Sequence, residues 1–195
     1  MFNVMLDRLP SDWHGYRIDT DFRTGIQIMR CLSDGEFSER ERIQYAVSRL
    51  FQGNIPDIQE AVEGLAWYMS EYNHDNHSAG KENGKIKAYD FDVDQWRIYS
   101  AFRRQYGIDL NHAGMHWFVF MGLLTNLEEC SFTRVVDIRL RKAVPGSSTK
   151  EREELRALKD VYRLEAEDAH LTPGERLAQQ RQMEIFNSFM NAGKE

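Results

Sequence analysis

The stretch MHWFVFMGLL, residues 115–124, is apolar almost all the way round a helix. A helix without a polar face has to be enclosed by other elements or lie in a membrane. This run is about half of what a bilayer span requires. The chain must therefore bury it inside a protein core. The pattern predicts a helix over 111–126, starting at Asn111, as the most buried helix of the domain. Every other element then has to offer that helix one apolar face.

The remaining sequence does so mainly in helical steps. A helix over 21–33 starts behind Thr20 and Asp21 and places Ile26, Met29 and Leu32 on one side. Ser38 and Glu41 have the spacing of a capping box, and Ile43, Ala46, Val47, Leu50 and Phe51 continue one stripe to a stop at Gly53. Pro56 opens a helix over 56–72 whose buried face reads as Ile58, Ala61, Val62, Leu65, Ala66, Met69 and Tyr72. A helix over 93–106 puts Trp96, Tyr99, Phe102 and Tyr106 on one face and ends at Gly107. Residues 131–142 read as a shorter amphipathic helix. Residues 149–164 form a highly charged one with Leu155, Leu158 and Tyr162 as a thin seam. TPGE at 172–175 starts a last segment with Leu177, Ile185, Phe186, Phe189 and Met190 on its apolar side. Only the first twenty residues read as β, with Gly15 as the turn of a hairpin that must pack on something to persist.

The expected fold is mainly α: a compact multi-helix domain with a short N-terminal β-hairpin and a C-terminal helical extension. The core domain spans 1–145, its halves joined by a polar loop over 73–88, and the charged extension spans 149–195. Hydrophobic residues at 42% and aromatic residues at 12% suffice for a core of this size.

Composition and spacing also exclude functions. A net charge of −6 argues against general nucleic-acid binding, which needs a basic face. MFNVMLDRLP carries an early acid and no long apolar stretch, so it is not expected to be a signal peptide, and the expected location is the cytoplasm. Cys31 and Cys130 are too few for a disulfide framework.

The chemistry-bearing candidates are few. Asp90, Asp92 and Asp94 alternate like calcium ligands, but the stretch lacks the glycine and the closing glutamate that a calcium loop needs. They read as the start of the helix that follows, with Asp92 or Asp94 as its cap. His112 and His116 lie four apart, as zinc ligands do, with no third ligand and no catalytic glutamate between them. They read as structural, with His116 half-buried beside Trp117. His74, Asp75 and His77 fall in the polar loop, where such residues gather by chance. GKENGK at 80–85 has the wrong spacing for a phosphate loop. Arg134, Arg139, Arg141 and Lys142 read as a solvated face or a protein contact. No nucleophile motif and no dinucleotide fingerprint appears, so no catalytic, cofactor or metal residue is assigned.

The order of features resembles a known family. LP at 9–10, GYRI at 15–18 and TDFR at 20–23 open the chain, and AVEGLAWY at 61–68 closes its first half. FDVDQWRIYSAFRRQYGIDL at 91–110 leads into HWFVFMGLLTNL at 116–127 and SFTRVVDIRLRKA at 131–143. Over about residues 5–165 this resembles the bacteriophage gene-product-fifteen family of tailed phages and prophages. The resemblance implies no enzymatic activity and carries over no catalytic residue. Genes of the family typically lie in the tail module, between the major tail protein and the tape-measure protein. It therefore implies a tail assembly chaperone that binds the tape-measure protein, with other tail proteins as further partners, in the host cytoplasm. A structural component of the virion is the alternative, and a small metal-dependent enzyme using the histidines is a third reading. Neither nucleic acid nor membrane is an expected partner, and self-association is left open. The expected contacts are Trp67, Tyr68, Phe186 and Phe189, where apolar faces of a partner helix would dock.

Overall fold

The helix built on the apolar run is α5, Trp117–Thr125, and it lies at the centre as its composition demands, with Trp117, Phe118, Phe120, Met121 and Leu124 all buried. A computed structural model describes residues 3–70, 87–144 and 146–164. Among them are six further helices: α1 Phe22–Ser33, α2 Glu39–Leu50, α3 Ile58–Ser70, α4 Gln95–Tyr106, α6 Ser131–Leu140 and α7 Thr149–Val161. The one sheet among these residues is a two-stranded antiparallel hairpin, β1 Asp12–Trp13 and β2 Tyr16–Arg17. The fold is mainly α with an N-terminal hairpin, as expected.

The hairpin turns on two residues, His14 (φ 49°) and Gly15 (φ 87°), both left-handed as a tight two-residue turn requires. Beyond β2 the chain stays extended and stitches helices together. The Asp19 amide donates to the Leu50 carbonyl at 2.7 Å, and the Gln52 amide donates to Arg17 at 2.8 Å. Then the Trp117 amide donates to Thr20 at 2.8 Å and the Phe22 amide to Met115 at 2.9 Å. The N-termini of α1 and α5 are thereby pinned side by side.

Around α5 the aromatic rings interlock. Phe120 stacks on Phe22 at 4.8 Å and on Phe102 at 5.2 Å between ring centroids. Trp117 stacks against Tyr68 at 6.2 Å. Gly25 of α1 lies directly on the Trp117 indole, where an added Cβ would come within 2.2 Å of the ring.

Local signals predicted the helix ends well. Ser38 and Glu41 form the reciprocal capping box of α2, and the two hydrogen bonds from Ser38 hold the Glu41 carboxyl below the usual range. Gly107 closes α4 at φ 69°. Three expectations need correction. The α5 helix begins six residues later than Asn111. Asp109 draws the next residues into a turn, accepting from the Asn111 amide through its side chain and from His112 and Ala113 through its carbonyl. The α3 helix begins at Ile58, because Asp57 caps it by accepting from the amides of Gln59 and Glu60. Its buried stripe is Ala61, Gly64, Leu65 and Tyr68, leaving Ile58 63% exposed. The hairpin decides this rotation: Trp13 packs so closely over Gly64 that a Cβ there would meet the indole at 2.8 Å. The α4 helix buries Ile98, Ala101 and Phe102, and Trp96 points outward. The compact unit runs through to Leu164 and takes in α7. The loop over 73–88, except its last two residues, and the segment carrying Phe186 and Phe189 lie outside the described residues.

Candidate functional site

His116 is not on a helix face with His112; it precedes α5 and caps it. Its Nδ1 accepts from the Phe118 amide at 3.0 Å, so the ring proton sits on Nε2, which donates to the Pro10 carbonyl at 2.9 Å. Burial pushes its pKa below the ordinary value, against the opposing pull of the Pro10 carbonyl. His112 stands in the preceding turn, exposed, 3.3 Å from Asp109. Among the described residues no group of three or more His, Cys, Asp or Glu is placed to hold a metal ion.

The His116 geometry has a pH consequence. A proton added at Nδ1 would face the Phe118 N–H and the positive end of α5. Since the folded pKa lies below the ordinary ~6.5, the unfolded chain binds the proton more readily. This contribution to stability is complete above ~pH 6.5 and declines as pH falls toward the lowered folded value. Urea denaturation between pH 7.5 and 5.5 should show stability falling in the wild type. The slope should be shallower in His116→Asn, which keeps an acceptor for the Phe118 amide but does not titrate. Equal slopes would remove His116 from the account.

The aspartate run does start a helix, but by a different route from that expected. Asp90 is the residue that forms the turn, accepting from the amides of Asp92 and Val93 at 2.7 and 2.9 Å. Asp94 occupies the cap position without a capping bond of its own side chain. Its carboxylate is fully buried and accepts from Arg139 Nη1 at 2.6 Å, Arg139 Nη2 at 3.2 Å and Arg97 Nη1 at 2.9 Å. Arg139, expected on a solvated basic face, is buried. It also donates to the carbonyls of Ala88 at 3.2 Å and Tyr162 at 2.7 Å. One guanidinium thus joins α4, α6, the chain before α4 and the end of α7. Arg134, Arg141 and Lys142 do remain exposed.

Of the four expected contact residues, Tyr68 is wholly enclosed against Trp117 and Phe118 and is withdrawn as a surface contact. Burial pushes its phenol pKa far up. Trp67 is half-buried, wedged between Trp13 at 4.9 Å and Phe118 at 5.5 Å. Among the described aromatic residues that face outward, Trp96 is 71% exposed.

Trp96 stands at the mouth of a cleft of about 230 Å³ between α1 and α4. Phe22, Ile26, Phe91, Tyr99 and Phe120 form its apolar walls. This is smaller than the ~300–1,000 Å³ of sites for drug-sized ligands and suits a single side chain. Its polar lip is rigid. Arg23 donates to the carbonyls of Leu110 at 2.7 Å, Ala113 at 3.0 Å and Asn111 at 3.2 Å, and Tyr99 donates to Asp109 at 3.3 Å. Arg30 on α1 pairs with Asp92 at 2.8 Å near the start of α4. An exposed Trp96 beside an apolar recess edged by half-buried Tyr99 and Arg23 offers residue types enriched at protein-contact hot spots. Sequence reading missed Trp96 because it shares a helix face with Tyr99 and passes for core.

No helix among the described residues is long and apolar enough to cross a membrane. No curated protein and no solved structure matches the chain. The family model described as Bacteriophage Gp15 protein matches residues 5–164, which takes in every element from the hairpin to α7. The chain, with its ring-packed α5 and its outward Trp96, belongs to that bacteriophage family.

Proposed function

We propose that this protein is a non-enzymatic tail assembly chaperone that binds the tape-measure protein in the host cytoplasm. One observation carries the reading of the site: a tryptophan 71% exposed beside an apolar cleft with a fixed polar lip. A long helical tape measure offers rows of apolar side chains that must be kept from self-association. A recess of about 230 Å³ takes one such side chain, and Trp96 covers it from the side. The tail-module gene position typical of the family supports the same partner. Phe186 and Phe189, outside the described residues, are proposed as a second contact.

The test is co-expression with the tape-measure protein of the neighbouring gene. Wild type should keep the tape measure soluble and copurify with it. Trp96→Ala, at an exposed position, should fold normally and bind it at least ~10-fold more weakly, as loss of a hot-spot tryptophan does. Full binding by Trp96→Ala would move the site elsewhere. A tape measure left insoluble and unbound by the wild type would sink the reading, and recovery of the chain in purified particles would then favour a structural component of the virion.

A further inference from the structure

The last described helix is held unlike the others. None of the residues of α7 is buried, and Leu158, on its apolar seam, is 44% exposed. Its start is self-contained: Ser148 and Glu151 form a capping box, so the helix needs no neighbour to satisfy its first amides. The link before it turns at Gly146, φ 92°, where Ser147 donates to the Val144 carbonyl through both its amide and its hydroxyl. Between α6 and α7 lies an open groove of about 620 Å³, with Leu127 and Ile138 on one side and Leu158 on the other. The exposed ion pairs Arg134–Glu129 and Asp137–Arg141 close within α6 and the residues next to it.

Among the described residues, a polar tie of α7 to the domain is the bond from Arg139 Nε to the Tyr162 carbonyl at 2.7 Å. Its energetics are one-sided. If α7 lifts away, Arg139 keeps both bonds to Asp94 and its bond to Ala88, so no charge is left unpaired in the core. The freed Tyr162 carbonyl meets water. Among the described residues, opening α7 therefore costs one charge-assisted hydrogen bond and a thin apolar seam, whereas opening α5 would cost the whole ring stack.

We infer that α7 is a releasable strap: it lies closed over the α6 side of the domain and opens as a unit about the turn at Gly146 while α1 to α6 stay folded. Opening uncovers Leu127 and Ile138 on the domain and Leu155, Leu158 and Tyr162 on the strap, two apolar seams that the closed form hides from partners in part.

Native-state hydrogen exchange on the full chain tests this. Amides of α7 should exchange at least ~100-fold faster than those of α5, since local opening needs far less free energy than global unfolding. The double variant Leu155→Glu/Leu158→Glu should bring α7 to the rate of an unprotected helix and leave α5 unchanged. Equal protection of α7 and α5 in the wild type would overturn the inference. So would a variant in which α5 loses protection together with α7. The measurement contains no partner, so it can fail while tape-measure binding stands, and can succeed while that binding fails.

Discussion

Asp94→Ala is expected to destabilise the protein by about 3–5 kcal/mol, the cost of leaving a buried charge without its partner. The carboxylate is fully enclosed, and Arg139 opposite it is nearly so. Removing the carboxylate leaves the guanidinium with only the carbonyls of Ala88 and Tyr162. Arg97 loses its acceptor in the same step, though it is partly solvated. The cost is one of orphaning rather than of lost attraction, and this gives a second expectation. Arg139→Met alone should also be severe, because it strands the carboxylate. The pair Asp94→Leu/Arg139→Met should recover most of the loss, since apolar replacement of a whole buried pair is often close to neutral. Urea denaturation of the four chains measures all the terms. A cost below ~1 kcal/mol for Asp94→Ala, the range of exposed pairs, would mean that water reaches the pair in solution.

Gly25→Ala should be comparably damaging, by about 3 kcal/mol, the upper end of what overpacking costs. An added methyl would lie 2.2 Å from Trp117 Cε3 and 2.3 Å from Cδ2. The ring cannot retreat. It is fully buried, it stacks on Tyr68 and on Phe120 at 5.9 Å, and its own amide is tied to Thr20. Helix propensity pulls the other way, since alanine is favoured over glycine inside a helix by about 1 kcal/mol, so the clash must exceed that gain. Gly122→Ala in α5 is the control: nothing lies within 4 Å of the position its Cβ would take, and it should be neutral or stabilising by up to about 1 kcal/mol. If the two substitutions behaved alike, close packing of α1 on the indole would not hold in solution.

What the sequence made legible follows the range of each interaction. Capping is local, so the Ser38–Glu41 box and the Gly107 stop could be read directly. The apolar run around Trp117 announced its burial because no other environment would accept it. Which face a helix buries depends on what packs against it, and that was not legible. The turn of α3 toward Gly64 is set by Trp13 from the hairpin. Trp96 and Phe102 both look like core on a helical wheel, yet only Phe102 meets Phe120. Arg139 and Asp94 are 45 residues apart and each is ordinary in its own segment, an arginine on an amphipathic helix and an aspartate before one. Only folding brings them together. Which aromatic side chains reach the surface was not legible either: Tyr68 goes inward and Trp96 outward.

The extended strand ahead of α1 sets the order in which the molecule can be completed. Its bonds go forward in the chain, first to residues 50–52 and then to residues 115–117, and the Pro10 carbonyl finds His116 across 106 residues. At the ~5–20 residues per second of ribosomal synthesis, the strand waits roughly 5–20 s for that partner to be made. The α1–α2 hairpin can form during the wait, since its contacts are near in sequence. The seam joining α1 to α5 cannot. Residues 10–22 are made before their partners and are among the last secured, so the nascent chain carries an unpaired strand edge until its central helix has been synthesised.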